Sequence, residues 1–84
     1  MHHRDDLASR VRDLLVQLFE LDPAALPTRL DTELVEKWDS LGHMALIERL
    51  EQDFAVSFSH SETIRMLSET AVVAELAAKL AAKA

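Results

Sequence analysis

Residues 38–54 read WDSLGHMALIERLEQDF, and this stretch decides the fold. With about 100° of turn per residue, a helix that starts at Ser40 gathers its apolar side chains on one stripe. The stripe consists of Leu46, Ile47, Leu50 and Phe54, and His43 falls in the same arc. Asp39 and Ser40 are both residue types that cap a helix N-terminus. The pattern therefore predicts an amphipathic helix from Ser40 with its inner face in a core.

Leu41, Met44 and Glu48 lie on a flank of this helix that the core does not need. An apolar residue that no core requires is available for contact with another protein. The core does not claim Met44 at its angle, so we expect Met44 to contact a partner.

Three further helices are predicted around this one. The first carries an apolar stripe of Leu7, Val11, Leu14, Leu15 and Leu18, with Asp5 or Asp6 as its cap and Asp22-Pro23 as its end. Ser59 or Ser61 caps a short third helix that reaches about Leu67. Ser68 or Thr70 begins the fourth, which has Val72, Val73, Leu76 and Leu80 on one face. These helices predict an all-α fold, a small four-helix bundle with three main helices and one short one.

A long connection, residues 22–39, precedes the helix at Ser40. Its length is unusual for a compact domain. Its apolar side chains predict that it is pinned across the core, and they are Leu26, Leu30, Leu34 and Val35. Packing onto the bundle is the simpler expectation for Trp38, and anchoring a partner is the alternative.

The composition limits the class of protein. The 84 residues predict one domain over 1–84, with 1–4 as a flexible tail, and 49% hydrophobic residues argue against disorder. One glycine, two prolines and no tyrosine, with abundant alanine and leucine, favour helices over a small β fold. The absence of cysteine excludes disulfides and thiol nucleophiles. No apolar run approaches the roughly 20 residues that span a bilayer, so we expect a soluble, cytoplasmic protein.

The negative charge is concentrated in the middle of the chain. The net charge is −6, and residues 31–53 hold seven acidic side chains against two basic ones. This distribution disfavours nucleic acid and favours a basic protein partner, although a face kept only for solubility is the alternative.

Ser40 is the residue with the most distinctive chemistry. The first turn of a helix has free N–H groups and a partial positive charge, which together favour a phosphate group on a serine placed there. The alternative is that Ser40 or Asp39 is only a helix cap.

The segment DSLGHMALIERLEQDF, residues 39–54, resembles the second helix of acyl carrier proteins, and the predicted order of helices resembles that family over the whole chain. The resemblance implies that Ser40 receives 4′-phosphopantetheine from coenzyme A through a magnesium-dependent phosphopantetheinyl transferase, with Asp39 and Leu41 flanking the attachment site. The arm's thiol would then carry the acyl group as a thioester. The resemblance also implies that Ile47, Leu50 and Phe54 surround the space where some carriers shelter an acyl chain. It further implies that Leu41, Met44 and Glu48 belong to the surface that partner enzymes read, and we expect the neighbouring Glu51 to add charge to it. The expected partners are acyl-loading and acyl-processing enzymes with basic docking surfaces, and the carrier itself is expected to be a monomer and not an enzyme.

Some residues depart from the family pattern. Ala45 stands where carriers of fatty acid synthesis have an acidic residue, and Gly42-His43 replaces their polar pair. These departures favour a specialised pathway, such as polyketide or other secondary metabolism. A peptidyl carrier and an unmodified acidic interaction module remain alternatives, although Lys37-Trp38-Asp39 fits the acyl type better than the peptidyl type.

Catalytic and metal sites are not expected. Ser40 and His43 are three residues apart, but a hydrolase also needs a group that orients the histidine and an oxyanion hole. We expect His43 instead to be partly buried and to hydrogen-bond a neighbouring loop. Histidines without cysteine support make a zinc site improbable.

Overall fold

The computed structural model describes the backbone of residues 3–83 and the side chains of residues 6–83. Over this range the chain is all-α, as predicted, with four helices and no strand. The helices are α1 (His3–Leu18), α2 (Ser40–Phe54), α3 (His60–Thr63) and α4 (Glu69–Lys83). None of these helices has both the length and the apolar character that crossing a bilayer requires.

Both ends of α1 differ from the prediction. The helix already includes His3, so Asp5 and Asp6 lie inside it rather than at its cap, and only Met1 and His2 of the expected tail 1–4 are outside the described residues. No glycine or proline interrupts the chain before Asp5, and acidic residues in a first turn suit the helix dipole. At the other end, α1 stops at Leu18, well before Pro23.

A left-handed residue, not proline, ends α1. Glu20 has φ 53°, and the N–H groups of Glu20 and Leu21 donate to the carbonyls of Gln17 and Val16. These two bonds satisfy carbonyls that the helix end would otherwise leave unpaired. The chain thereby turns four residues earlier than the sequence suggests, and Phe19 enters the core, where its side chain is 3% exposed.

The core contains the predicted stripes of α1, α2 and α4. Leu46, Leu50 and Phe54 of α2 are buried, and Ile47 packs against them. The buried positions of α1 and α4 are Leu7, Val11, Leu14, Leu15, Val72 and Leu76. Leu18, Val73 and Leu80 pack at the edge of this core. Assignment of the inner faces from periodicity is therefore confirmed.

The connection before α2 is pinned to the core, but not by all the predicted residues. Leu30 and Val35 are buried, Leu26 is half-buried, and Leu34 is 49% exposed. The Asp31 carboxylate accepts hydrogen bonds from the N–H groups of Glu33 and Leu34, and this tight turn directs Leu34 outward and Val35 inward.

The connection between α3 and α4 also differs from the prediction. Ser59 caps α3 as expected, but the helix ends at Thr63 instead of near Leu67. Arg65 and Met66 continue in turns, which brings Met66 into the core with a fully buried side chain. Ser68, one of the two predicted caps of α4, accepts a hydrogen bond from the N–H of Ala71 at 3.1 Å.

Two backbone hydrogen bonds fasten this connection to the loop before α2. The N–H of Thr32 donates to the Leu67 carbonyl at 3.1 Å, and the N–H of Glu69 donates to the Leu30 carbonyl at 2.8 Å. Asp31 and Ser68 form an isolated antiparallel bridge between them. The two connections therefore meet beside the start of α2.

Stability in acid should depend on Glu62, which completes a capping box at α3. Its carboxylate accepts from the N–H of Ser59 at 2.7 Å and from Lys79 at 2.8 Å, and these bonds, the one from Lys79 foremost, lower the pKa of Glu62 from 4.5 to about 2. Because the pKa of Glu62 is lower in the folded than in the unfolded protein, its ionised carboxylate stabilises the fold at any pH above the unfolded pKa of 4.5. This stabilisation is lost as the pH falls through about 2. Glu62→Gln should therefore have a lower melting temperature than the wild type at pH 7, and the two should converge between pH 4.5 and 2. An equal difference in melting temperature at pH 7 and at pH 2 would contradict this assignment.

Candidate functional site

Ser40 is the first residue of α2, and its neighbour Asp39 provides the cap. Asp39 has an extended backbone, and its carboxylate accepts a hydrogen bond from the N–H of Gly42 at 2.9 Å. Since Asp39 supplies the capping oxygen, the serine hydroxyl is not needed for that role. Ser40 is exposed to solvent. The helix start therefore presents a hydroxyl that another protein can reach.

The backbone before Ser40 lies close against α2. A Cβ atom added to Gly42 would be 2.1 Å from the Lys37 carbonyl oxygen and 3.0 Å from a ring carbon of Phe19. Lys37 in turn pairs with Glu20 at the end of α1, and this contact lowers the pKa of Glu20, mainly through the hydrogen bond from Lys37. Gly42 thus permits a close approach that fixes where α2 begins.

Trp38 and His43 form the floor beside Ser40. The Trp38 side chain is 2% exposed and stacks on Phe19 with ring centroids 5.5 Å apart. Its indole N–H donates to Nδ1 of His43 at 3.0 Å. Trp38 therefore packs onto the bundle, which is the simpler of its two expected roles.

His43 links α2 to α3. Because the tryptophan N–H can only donate, Nδ1 of His43 is the acceptor, and the ring proton sits on Nε2. Nε2 is 2.8 Å from the Thr63 carbonyl oxygen and donates to it. The prediction that His43 is partly buried and hydrogen-bonds a neighbouring segment is confirmed. With both ring nitrogens engaged, His43 is not placed to act as a base toward Ser40.

An open groove of about 280 Å³ runs beside Ser40. Its walls come from the start of α2 and from the two connections joined by the Thr32–Leu67 hydrogen bond. It is lined by Thr32, Trp38, Asp39, Ser40, His43 and Leu67.

The predicted outer flank of α2 is exposed. Leu41 is 79% exposed, Met44 is 67% exposed and Glu48 is also open to solvent. Glu51 differs from these three because it is half-buried, and its carboxylate accepts a hydrogen bond from the N–H of Phe58 at 2.9 Å. Glu51 thus holds the connection after α2 in place, and its expected role toward partners is left as a prediction.

Sequence reasoning missed two exposed apolar residues between α3 and α4, of which Leu67 lines the groove. Ile64 is 56% exposed and Leu67 is 46% exposed. The third helix was expected to run to about Leu67, so the side chains of Ile64 and Leu67 were not considered as parts of a connection. In the structure α3 ends at Thr63, and both residues follow it. All the large exposed hydrophobic residues of the described chain lie between Leu34 and Leu67.

Several carboxylates near α2 have no basic partner among the described residues. Most basic side chains are paired elsewhere, as in Arg12–Glu69, Arg29–Asp31, Arg65–Glu75 and Lys79–Glu62. On α2 itself, Arg49 pairs with Asp53. Glu48, on the outer flank, has no ion-pair partner among the described residues.

Other chemistry is not apparent in the described residues. Within residues 6–83, no group of three or more histidine, aspartate or glutamate side chains is positioned to hold a metal ion. Comparisons with known protein families, with curated proteins and with solved structures find no match for this chain.

Proposed function

We propose that this chain is an acyl carrier whose Ser40 is the attachment point of 4′-phosphopantetheine. The observation that carries the proposal is the state of Ser40, an exposed serine in the first turn of α2 whose helix already has its cap from Asp39. The direct test is whether coenzyme A and a phosphopantetheinyl transferase add one phosphopantetheine to this serine.

The surroundings of Ser40 fit a phosphate diester. The N–H groups of a first helical turn and the helix dipole favour negative charge at this point. The groove beside Ser40 offers an open, partly apolar wall along which an extended arm can lie. When bound, the group supplies a thiol that holds an acyl chain as a thioester, a function for which this cysteine-free chain has no side chain of its own.

Attachment uses the Ser40 hydroxyl as a nucleophile. Its oxygen forms a bond to the phosphorus next to the pantetheine of coenzyme A, the bond from that phosphorus to the bridging oxygen breaks, and adenosine 3′,5′-bisphosphate leaves. The hydroxyl proton must pass to a base. Because both nitrogens of His43 are engaged with Trp38 and Thr63, we assign that base to the transferase.

The proposed partners are enzymes with basic docking surfaces, and the outer flank of α2 is the surface we propose for them. Leu41 and Met44 supply apolar contact, and Glu48 supplies charge. Exposed charges chiefly accelerate and orient association, whereas buried apolar contact holds the docked complex. The departures at Gly42, His43 and Ala45 support a specialised pathway. That the carrier is cytoplasmic and monomeric is a separate part of the proposal.

Glu48→Lys should slow modification of Ser40 mainly by slowing association with the transferase. The reduction in kcat/KM should shrink as salt is raised, because salt screens the attraction present in the wild type. Met44→Ala should weaken docking with little dependence on salt. The measurement is the initial rate of modification at several salt concentrations.

Asp13→Lys on α1 is the matched control for net charge. Asp13 is exposed and has no basic partner among the described residues. Glu75 on α4 would be a poorer control, because its substitution would also break the ion pair with Arg65. If Asp13→Lys slows modification as much as Glu48→Lys does, the acidic flank serves solubility rather than docking.

An unmodified interaction module is the second candidate. The observation that favours it is the number of large apolar residues exposed on α2 and on the connection before α4, Leu41, Met44, Ile64 and Leu67, which would suit protein contact with no prosthetic group. A wild-type chain that several unrelated transferases leave unmodified would favour this candidate. A chain that accepts the arm but is loaded only with amino acids would be a peptidyl carrier.

A further inference from the structure

The space between Ser40 and the core is closed by a chain of contacts. The Trp38 indole lies at the floor of the groove, almost fully buried, with Phe19 stacked behind it. Its N–H is bonded to His43, which is bonded to the Thr63 carbonyl. Moving Trp38 aside would leave a buried N–H without an acceptor, which is unfavourable in a protein interior.

The core behind this floor is filled. Leu46, Leu50, Met66 and Leu76 have no exposed surface. A close-packed protein interior does not admit extra methylene groups without strain. Among the described residues, no buried side-chain polar atom lacks a hydrogen-bond partner, so none is left to receive a thioester or amide inside the core.

The groove itself is small and open to solvent, so it does not enclose a chain. Sites that bury most of a ligand have volumes of roughly 300–1,000 Å³. The groove beside Ser40 has about 280 Å³ and is open to solvent, and an arm attached at Ser40 would use part of it. A long alkyl group held there would remain in contact with water, which is unfavourable in proportion to its apolar area.

We infer that this protein carries its cargo outside the bundle, because the Trp38–His43–Thr63 contact closes the core beneath Ser40. This inference rests on the proposed function. The cargo class that fits is a short or polar acyl group. A long saturated chain does not fit, and the sheltering space implied by the family resemblance around Ile47, Leu50 and Phe54 is closed here.

The three methionines and the single tryptophan allow a direct test. Acetyl and octanoyl forms are prepared by transfer from acetyl-coenzyme A and octanoyl-coenzyme A. Intact mass confirms loading, and fragmentation places the group on Ser40. Carbon-13 methyl spectra of methionine and the indole N–H signal of Trp38 are then compared between the two forms. Met66 reports on the core and Met44 reports on the outer flank.

We expect the Met66 methyl and the Trp38 indole signals to be the same in the acetyl and octanoyl forms, with equal melting temperatures. A sheltered chain would act as a bound ligand, and an octanoyl form that melts roughly 4–8 °C higher, with a shifted Met66 signal, would overturn the inference while leaving the carrier function intact. A chain that accepts neither group would overturn the proposed function, and this inference with it.

Trp38→Phe tests which residue closes the core. This variant removes the indole N–H and part of the side-chain volume but retains an aromatic ring to stack on Phe19. In it, octanoyl but not acetyl should shift the Met66 signal. If Trp38→Phe folds and shows no such shift, Trp38 is not the barrier. If it does not fold, the comparison of acyl forms in the wild type still decides the inference.

Discussion

Phe54→Ala is expected to lower the free energy of unfolding by about 3–5 kcal/mol, the cost typical of deleting a buried aromatic side chain. Phe54 is the last residue of α2, and its side chain is buried in the core with 8% of its surface exposed. The Arg10 guanidinium lies 4.3 Å from its ring centroid, so the ring also has a cation above it. For a domain of this size, whose total stability is about 4–13 kcal/mol, the loss is a large fraction of the whole.

Phe58→Ala is the matched control for that substitution. Phe58 follows α2, is half-buried and packs at the edge of the core. The same truncation should therefore cost clearly less there. Thermal melting followed by circular dichroism measures both variants, and an unchanged melting temperature in Phe54→Ala would show that the faces of α2 are wrongly assigned.

Gly42→Ala is expected to destabilise the protein by about 1–3 kcal/mol, as overpacking does. In an ordinary helix interior the same change would stabilise by about 1 kcal/mol, because alanine is the better helix former. Here the new Cβ would be 2.1 Å from the Lys37 carbonyl oxygen, a backbone atom, so the segment before Ser40 has to move. Since that segment positions Ser40, modification of the serine should also slow.

Ala45→Gly, at an exposed position of the same helix, provides the comparison for Gly42→Ala. It should lose about 1 kcal/mol by helix propensity alone and leave modification of Ser40 unchanged. Urea unfolding and the initial rate of modification measure both variants. A Gly42→Ala protein that is more stable than the wild type would show that the close approach to Lys37 does not constrain the chain.

The parts of the fold that depend on local pattern were predictable from sequence. In α2, a capping aspartate precedes a continuous apolar stripe, and nothing interrupts either signal, so both its start at Ser40 and its buried face were found. The stripes of α1 and α4 follow the same rule. The partial burial of His43 also followed from its angle on α2.

The remaining features are not marked by any local pattern in the sequence. The left-handed Glu20 ends α1 early, and no glycine or proline marks that position. Met66 is buried next to Leu67, whose carbonyl accepts a hydrogen bond from Thr32, a contact that sequence spacing does not reveal. Ile64 and Leu67 were not recognised as exposed because α3 was expected to continue to about Leu67 but ends at Thr63. The Trp38–His43 hydrogen bond likewise joins residues whose pairing the sequence did not indicate.

Intact mass spectrometry after incubation with coenzyme A, magnesium and a broad-specificity transferase is the most direct test of the carrier function. The wild type should gain one phosphopantetheine, fragmentation should place it on Ser40, and Ser40→Ala should gain nothing while folding normally by circular dichroism. Ser57→Ala, which removes an exposed serine outside any helix, is the control and should be modified like the wild type. A wild-type chain that several unrelated transferases leave unmodified would contradict the carrier function, and modification that persists in Ser40→Ala would contradict the site.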